Sequence, residues 1–323
     1  MQGQSINCSA YLPADGTLPK HQPHLTTLKH DTSLAGRIMA NSITVFRFAN
    51  GSTLPAIGLG TFQGNDGNEK VKNIVEAAIQ AGYRHIDGAA AYEMKMLLEM
   101  LLKKAVSREM SCLSSLNSQS WHDRKDVERE LDLSLKALGL EYGPNNGTIR
   151  HPSGNGKAKF IYTETWQAME KLVDSGKTKA IGLSNFNILK TKRILEVARI
   201  CPAVSQVEAH RYFPQHELLE FCKKEHIHLM AHQLLGGKPV GVILSWAVQR
   251  GTPVIPKTSN ESRLPENLSI APLSEEHFAI IDDLATTIES GPVRFLDPSK
   301  HLGFDIFDEE LDQPVYNHAP WDQ

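Results

Sequence analysis

The alternation of short apolar runs with amphipathic stretches is the feature that most constrains the fold of this 323-residue chain. From residue 56 onward, apolar runs typical of buried strands are separated by stretches whose apolar residues recur every three or four positions. This alternation predicts a parallel sheet whose strands are connected by helices. The predicted strands lie at 56–60, 84–87, 111–115, 179–183, 203–208, 227–232 and 252–256.

Helical periodicity fills most of the intervals between these strands. Gly176 is a suitable C-cap and Ser274 a suitable N-cap for two of the helices. The set is nearly that of eight strand-helix units, which predicts an α/β chain folded as a (β/α)8 TIM barrel. The predicted helices lie at 68–81, 94–105, 126–139, 164–175, 188–199, 215–225 and 241–251, with another after Ser274.

The N-terminal region differs from the rest of the chain. Residues 1–40 are rich in Ser, Thr, Pro, His and Gly without periodicity, which predicts a disordered tail before a barrel over 41–323. Val45, Phe46 and Phe48 precede an Asn-Gly pair at 50–51, which is typical of a tight hairpin. We therefore expect an N-terminal β-hairpin lid before the first barrel strand.

Two segments interrupt the alternation of predicted strands and helices. Residues 141–162 are full of Gly, Asn and Pro where a buried fourth strand is required, so no strand is predicted there. The eight residues after His232, "QLLGGKPV", are short for a strand-to-helix crossover, which indicates a lost piece. The sequence alone therefore leaves open whether the barrel is complete.

The composition limits the kinds of partner and the cellular location that are expected. The net charge is −3 and no long block of Lys or Arg occurs, which argues against nucleic-acid binding and favours a small-molecule ligand. The four cysteines stand far apart, so neither a metal site nor a disulfide framework is expected. No apolar stretch approaches the roughly 20 residues of a membrane span, and no secretory signal is visible, so a cytoplasmic protein is expected. Nothing predicts the oligomeric state.

Five motifs each lie at the end of a predicted strand: "LPAIGLGTF" (54–62), "AGYRHIDGAAAY" (81–92), "LVDSGKTKAIGLSNF" (172–186), "QVEAHRYFPQHELLEFCKK" (206–224) and "VIPKTSNESRLPEN" (254–267). Together they resemble the aldo-keto reductase family. This resemblance spans roughly residues 43–290 and implies a barrel enzyme that uses NADPH to reduce an aldehyde or ketone to an alcohol. The C-terminal phrase "FLDPSKHLGFDIFDEELDQ" is similar to the tails of fungal members, which shape the substrate pocket. A secondary-metabolite carbonyl, a sugar and a small aldehyde all stay open as substrates.

The resemblance implies Tyr92 as the acid that protonates the substrate oxygen and Asp87 as its electrostatic partner. It implies a histidine after the fourth strand, for which His151 is the nearby substitute. Read without the family, a helix cap is the commoner role for Asp87 and a packing aromatic the commoner role for Tyr92.

The family's catalytic lysine follows its third strand, and Ser115 stands in that position. A hydroxyl carries no charge to lower the pKa of a phenol, so general-acid catalysis should fall by as much as about 10²–10⁴-fold. The alternatives to an active reductase are a barrel that binds NADPH or a partner without turnover, and a damaged chain.

The resemblance also implies a cofactor cradle. One group matches the positions that hold the adenosine and its 2′-phosphate, and a Lys with an Arg suits a dianionic phosphate, which favours NADPH. Taken alone, the same charges would describe an exposed helix start. His232 stands where a tyrosine stacks on the nicotinamide, and Ser184, Asn185 and Gln206 match the groups that bind its carboxamide. The adenosine group is Lys257, Thr258, Ser259, Arg263, Glu266 and Asn267.

Overall fold

A two-stranded hairpin opens the part of the chain that the computed structural model describes. The described residues are 44–62, 68–89, 111–115, 127–128, 132, 146–150, 162–235, 241–289 and 291–295. Strand β1 (Val45–Arg47) pairs antiparallel with β2 (Thr53–Pro55). Gly51 takes a left-handed φ of +82° in the turn, where Asn50 Oδ1 accepts hydrogen bonds from the Ser52 amide and hydroxyl. The predicted hairpin is confirmed.

Parallel strands follow in the order of the sequence and form one sheet among the described residues. Val254 bridges in parallel to Ile57 on one side and to Ala231 on the other, and Lys257 bridges to Gly60. The segment 254–257 therefore joins the last strand to the first and closes the (β/α)8 barrel. The strands are β3 (Leu59–Gly60), β4 (His85–Ala89), β5 (Ser111–Ser115), β6 (Asn146–Arg150), β7 (Ala180–Ser184), β8 (Val204–Glu208) and β9 (His228–His232).

Strand β6 corrects the expectation that residues 141–162 contain no strand. It pairs with β5, where Leu113 is opposite Asn146, and with β7, where Asn146 is opposite Ala180 and Arg150 opposite Ser184. A strand between two parallel neighbours is held by main-chain hydrogen bonds on both sides, which any non-proline residue can make. The turn-rich composition of this segment therefore did not decide its conformation, and the sheet is continuous from β3 to β9.

Helices lie between the strands at the predicted places. Asn187 caps one of them by accepting the Lys190 amide at 2.7 Å, and Ser274 caps another by accepting the His277 amide at 3.3 Å. Gly176 takes the left-handed φ of +74° expected of a C-cap residue. The helices are α1 (Asn68–Gln80), α2 (Tyr162–Asp174), α3 (Ile188–Val197), α4 (His216–Lys224), α5 (Gly241–Gln249), α6 (Arg263–Leu268) and α7 (Glu275–Asp282), followed by a 3₁₀ turn (Leu284–Thr287).

Some predicted elements fall outside the described residues. These are the tail at 1–40, the helix at 94–105, and all of the helix at 126–139 except three residues, which are helical. Strand β9 ends at His232 and α5 begins at Gly241, but 236–240 are not described. The interpretation that a piece is lost there stays a prediction.

The core has an inner and an outer part. Inside the barrel, Phe48 and Leu54 of the hairpin region pack against Ala180, Val204 and Met230 of the strands. Outside it, larger clusters join the sheet to the helices, with Trp166 and Trp246 almost wholly buried. Among the helices that the structure describes, none is long and apolar enough to cross a membrane.

Candidate functional site

The carboxyl ends of the parallel strands bring the predicted polar residues to one edge of the barrel. Asp87 of β4 is opposite Gly60 of β3, and Ser184 of β7 is opposite Gln206 of β8. Active sites in such barrels lie at this edge. The register therefore places residues far apart in the sequence around one mouth.

Asp87 is held from two sides. Gln206 Nε2 donates a hydrogen bond to Asp87 Oδ1 at 3.0 Å, and so crosses the barrel from β8 to β4. The Thr61 hydroxyl donates to the Asp87 main-chain oxygen at 2.8 Å. Asp87 is only half buried. The arrangement provides a negative charge in a fixed position.

Ser184, Asn185 and His232 lie beside this pair. Ser184 is almost completely buried at the end of β7. Asn185 takes a left-handed φ of +59°, which is uncommon for a residue with a Cβ and which turns its side chain toward β9. Its main-chain amide donates to the main-chain oxygen of Gln206 at 2.9 Å, and its side-chain Oδ1 lies 3.4 Å from His232 Nε2. Polar donors and acceptors thus form a row from β4 to β9.

The loop from 257 to 263 is shaped by its own side chains. Thr258 Oγ1 accepts the Asn260 amide at 3.0 Å, and Asn260 Oδ1 accepts the Ser262 amide at 3.0 Å. Such short-range bonds fix a turn without help from outside. Lys257, Ser259 and Glu266 are exposed and Arg263 is half buried, so their polar ends are available to a ligand.

Helix α6 is tied to the barrel at its inner side. The Tyr83 hydroxyl donates to the Leu264 main-chain oxygen at 3.2 Å. Burial raises the pKa of the Tyr83 hydroxyl, and the side chain of Asn267, which is 2% exposed, opposes this by a smaller effect. The Asn267 Nδ2 nevertheless makes no hydrogen bond of good geometry within the described part of the chain. A buried amide donor without an acceptor is costly, so this atom is suited to a ligand that supplies one.

Three positions that the sequence comparison with the family singled out are Tyr92, His151 and Ser115. Tyr92 and His151 lie outside the described residues, although His151 directly follows the last residue of β6. Ser115 ends β5, where it is opposite Ala89 of β4 and Thr148 of β6. The serine therefore occupies the carboxyl edge, two positions beyond the residue opposite Asp87.

Sequence reasoning missed a second polar pair at the same edge. Glu208, the last residue of β8, and His210 are each 1% exposed, and His210 Nε2 lies 2.8 Å from Glu208 Oε1. Both residues stand in the phrase "QVEAHRYF", two and four positions after Gln206. Spacing by two along a strand places Glu208 on the face of Gln206, which is the signal that could have found it.

Comparisons with known proteins agree with this architecture. The sequence profile of the aldo/keto reductase family matches residues 56–240. The chain is 35% identical to aldo-keto reductase family 4 member C11 of Arabidopsis thaliana, over 72% of this chain and 85% of that protein. It is 33% identical to a D-galacturonate reductase of Hypocrea jecorina, over 76% and 92% of the two chains.

Solved structures give the same answer. The NADPH complex of the aldo-keto reductase AKR2E5 of the silkworm, Bombyx mori, superposes with a TM-score of 0.72 at 28% identity. That superposition covers 85% of this chain and 96% of the silkworm protein. The chain belongs to the aldo-keto reductase family.

Proposed function

We propose that this protein is an NADPH-dependent oxidoreductase that reduces a small-molecule carbonyl to an alcohol. The observation that carries the proposal is the row of polar residues from Asp87 through Gln206 and Asn185 to His232 at the carboxyl edge of the barrel. Side-chain hydrogen bonds join Asp87 to Gln206 and Asn185 to His232, and a main-chain hydrogen bond joins Gln206 to Asn185. The names of the relatives support it, because they include a D-galacturonate reductase and a reductase complexed with NADPH.

The adenosine end of NADPH fits the segment 257–267. Lys257 and Arg263 would hold the 2′-phosphate, since an ammonium and a guanidinium both donate to phosphate oxygens. The exposed hydroxyl of Ser259 would add a donor. Asn267 would give its unpartnered Nδ2 to a ring nitrogen of the adenine, which satisfies the buried amide. Thr258 and Glu266 complete this group, Thr258 by fixing the turn.

The nicotinamide end fits the row at the barrel mouth. Ser184, Asn185 and Gln206 offer hydroxyl and amide groups for its carboxamide. His232 would stack on the ring, with its Nε2 directed to Asn185 Oδ1. When bound, NADPH supplies the hydride that reduces the carbonyl carbon.

The proton that the reduction requires comes from a side chain of the protein. Tyr92 donates its phenolic proton to the carbonyl oxygen, and Asp87 is its electrostatic partner, held by Gln206 and Thr61. A phenol has a pKa near 10 and needs a neighbouring group to make its proton mobile at neutral pH. His151, directly after β6, is a further candidate to orient the carbonyl.

A second candidate function is cofactor binding without turnover. Ser115 favours it, because this neutral residue ends β5 beside β4, where the family usually carries a lysine. Binding and turnover must therefore be measured separately.

The test of the proposal is a fluorescence titration of the purified protein with NADPH and with NADH, followed by a screen of carbonyl substrates. Lys257→Met should weaken NADPH binding by about ten- to hundredfold and NADH binding much less, because only NADPH carries the 2′-phosphate. Lys179→Met is the matched control, because Lys179 is also exposed but precedes β7, at the opposite end of the barrel.

Turnover separates the two candidates. Loss of reduction in Tyr92→Phe with unchanged NADPH affinity would assign the acid. NADPH binding without reduction of any carbonyl would select the second candidate. Folded wild-type protein that binds neither cofactor would overturn both.

A further inference from the structure

Tyr83 stands between the end of α1 and the start of β4, in a main chain that is held at several points. Its amide donates to the Ala78 oxygen at 2.9 Å, and its own main-chain oxygen accepts from Arg84 Nη1 at 2.9 Å. Gly82, directly before it, takes the left-handed φ of +103° expected of a residue that ends a helix. The Tyr83 side chain is 1% exposed and packs in the core cluster that joins the sheet to the helices. Its backbone and its ring are therefore fixed points of the fold.

The hydroxyl of this side chain reaches α6, 181 positions further along the chain. It donates a hydrogen bond to the Leu264 main-chain oxygen at 3.2 Å. Burial raises the pKa of Tyr83 to about 12, against the smaller opposing effect of the Asn267 side chain. The phenol thus keeps its proton at neutral pH, and it remains a donor to α6.

Leu264 and Asn267 form the inner face of α6. Residues three apart lie on the same side of a helix, and these two are 1% and 2% exposed. Glu266 is exposed and Arg263 is half buried. The inner face of α6 therefore meets Tyr83, while the outer side is open to a ligand.

Helix α6 depends on contacts with the rest of the fold for its orientation. It contains six residues, fewer than two turns, and a helix of this length is not stable through its own hydrogen bonds. In the described part of the chain, its N-cap residue Ser262 makes no side-chain capping bond. The Ser269 hydroxyl donates to the Pro265 oxygen, but it belongs to the residue directly after the helix. The Tyr83 hydroxyl, in contrast, joins α6 to a distant and rigid part of the barrel.

We propose that Tyr83 is a positioning residue for the adenosine end of the cofactor. Its hydroxyl holds the inner face of α6, and with it the Asn267 side chain, in the orientation that receives the adenine. Because Tyr83 is 1% exposed, it acts through α6 and does not touch NADPH. This inference rests on the proposed function, and it adds to that site a residue that lies behind the groups in contact with the ligand.

The test is Tyr83→Phe, which removes the hydroxyl and keeps the ring. The probes are two parts of the cofactor, adenosine 2′,5′-bisphosphate and reduced nicotinamide mononucleotide, each titrated into the full chain by calorimetry. The affinity for adenosine 2′,5′-bisphosphate should fall by about three- to tenfold, the value of one neutral hydrogen bond. The affinity for reduced nicotinamide mononucleotide should stay unchanged, because its groups bind at the mouth of the barrel and not at α6.

These two affinities separate a positioning role from a merely structural one. If Tyr83 only stabilised the fold, Tyr83→Phe would lower the melting temperature and leave both affinities unchanged at temperatures where the protein is folded. Tyr162→Phe is the matched control, because Tyr162 is also a tyrosine whose pKa is raised by burial. Its ring lies 5.4 Å from the Phe186 ring in a different core cluster, so its replacement should leave both affinities unchanged.

A double-mutant cycle with Asn267→Ala tests the route from the hydroxyl to the ligand. If Tyr83 acts through Asn267, Tyr83→Phe should change the affinity for adenosine 2′,5′-bisphosphate by less than about twofold in the Asn267→Ala background. The same three- to tenfold change in both backgrounds would overturn the inference.

The outcomes are distinguishable from those of the proposed function. If wild type and Tyr83→Phe bind adenosine 2′,5′-bisphosphate equally well, the positioning role is wrong while the reductase stands. A parallel loss of affinity for both probes would also contradict it, because that loss would mean a general change of the barrel. Folded wild-type protein that binds neither NADPH nor adenosine 2′,5′-bisphosphate would overturn the proposed function and this inference together.

Discussion

The two ends of this barrel are built from the same strands and have opposite chemistry. At the amino end, Val204 of β8 packs with Phe48 and Leu54 of the hairpin region. At the carboxyl end, two residues further along β8, Gln206 reaches the carboxylate of Asp87. Apolar packing therefore closes the amino end and stabilises the fold. The polar groups that chemistry needs lie at the carboxyl end.

The histidines of strands β4 and β9 show the same division. His85, at the start of β4, is fully buried, and its Nδ1 lies 3.1 Å from the Pro55 oxygen of the hairpin. His228, at the start of β9, packs against Phe46 and Phe48. Both are fixed by the hairpin. His232, at the other end of β9, is half buried and lies beside Asn185 in the candidate site.

The largest effect is expected at the carboxyl end, in Asp87→Asn. The amide keeps an oxygen for the Gln206 donor but loses the charge, so kcat should fall by about 10²–10⁴-fold while the NADPH affinity and the melting temperature change little. Steady-state kinetics with 4-nitrobenzaldehyde, a cofactor titration and a thermal melt measure the three quantities. A kcat within threefold of wild type would mean that Asp87 is not a catalytic residue. A large fall in the melting temperature would mean that the loss of kcat comes from unfolding and not from the missing charge.

The barrel was predictable because its strands are apolar and its helices periodic. β6 was not, because Asn146–Arg150 is a strand owing to its two neighbours rather than to its own composition. Tertiary context commonly overrides local preference in sheets. The amino end, where apolar residues dominate, was accordingly easier to predict than the polar edge.

The candidate site was predictable only where a motif matched the family. Asp87, Gln206 and Asn185 were found in this way, and the register then brings them together. The contact between Glu208 and Phe295 was missed, because these residues are 87 positions apart and their contact depends on where the chain returns after the last helices. No local pattern carries that information.

The second-largest effect is expected on the free energy of unfolding at acid pH, and it tests whether the amino end governs stability. Burial lowers the pKa of His85 to about 4, against the small opposing effect of its bond to the Pro55 carbonyl. Burial also lowers the pKa of His228. The folded state thus disfavours protonation, so the stabilisation is complete above pH about 6.5 and is lost as the pH falls toward about 4.

For His85 the loss amounts to about 3 kcal/mol across that window. Urea denaturation at several pH values between 7.5 and 4 measures it. His85→Asn can still donate to Pro55 but does not titrate, so its free energy of unfolding should depend less steeply on pH. Equal slopes for the variant and the wild type would mean that other groups cause the acid sensitivity.

The smallest effect is expected from Gly58→Ala, which tests how closely the amino end is packed. A Cβ at Gly58 would lie 2.5 Å from Nδ1 of the buried His85 ring, so the ring or the strand has to move. Overpacking of this kind costs roughly 1–3 kcal/mol of unfolding free energy, and the NADPH affinity should be unaffected.

Gly241→Ala is the matched control, because Gly241 is exposed at the start of α5 and its Cβ would meet nothing closer than the Ser269 oxygen at 3.9 Å. It should leave stability unchanged or raise it by up to about 1 kcal/mol through helix propensity. If Gly58→Ala is as stable as wild type, the packing at the amino end leaves room for a methyl group. The hairpin then does not hold His85 as tightly as its contacts indicate. If it instead weakens NADPH binding, the two ends are coupled, and the division between a stabilising end and a chemical end no longer holds.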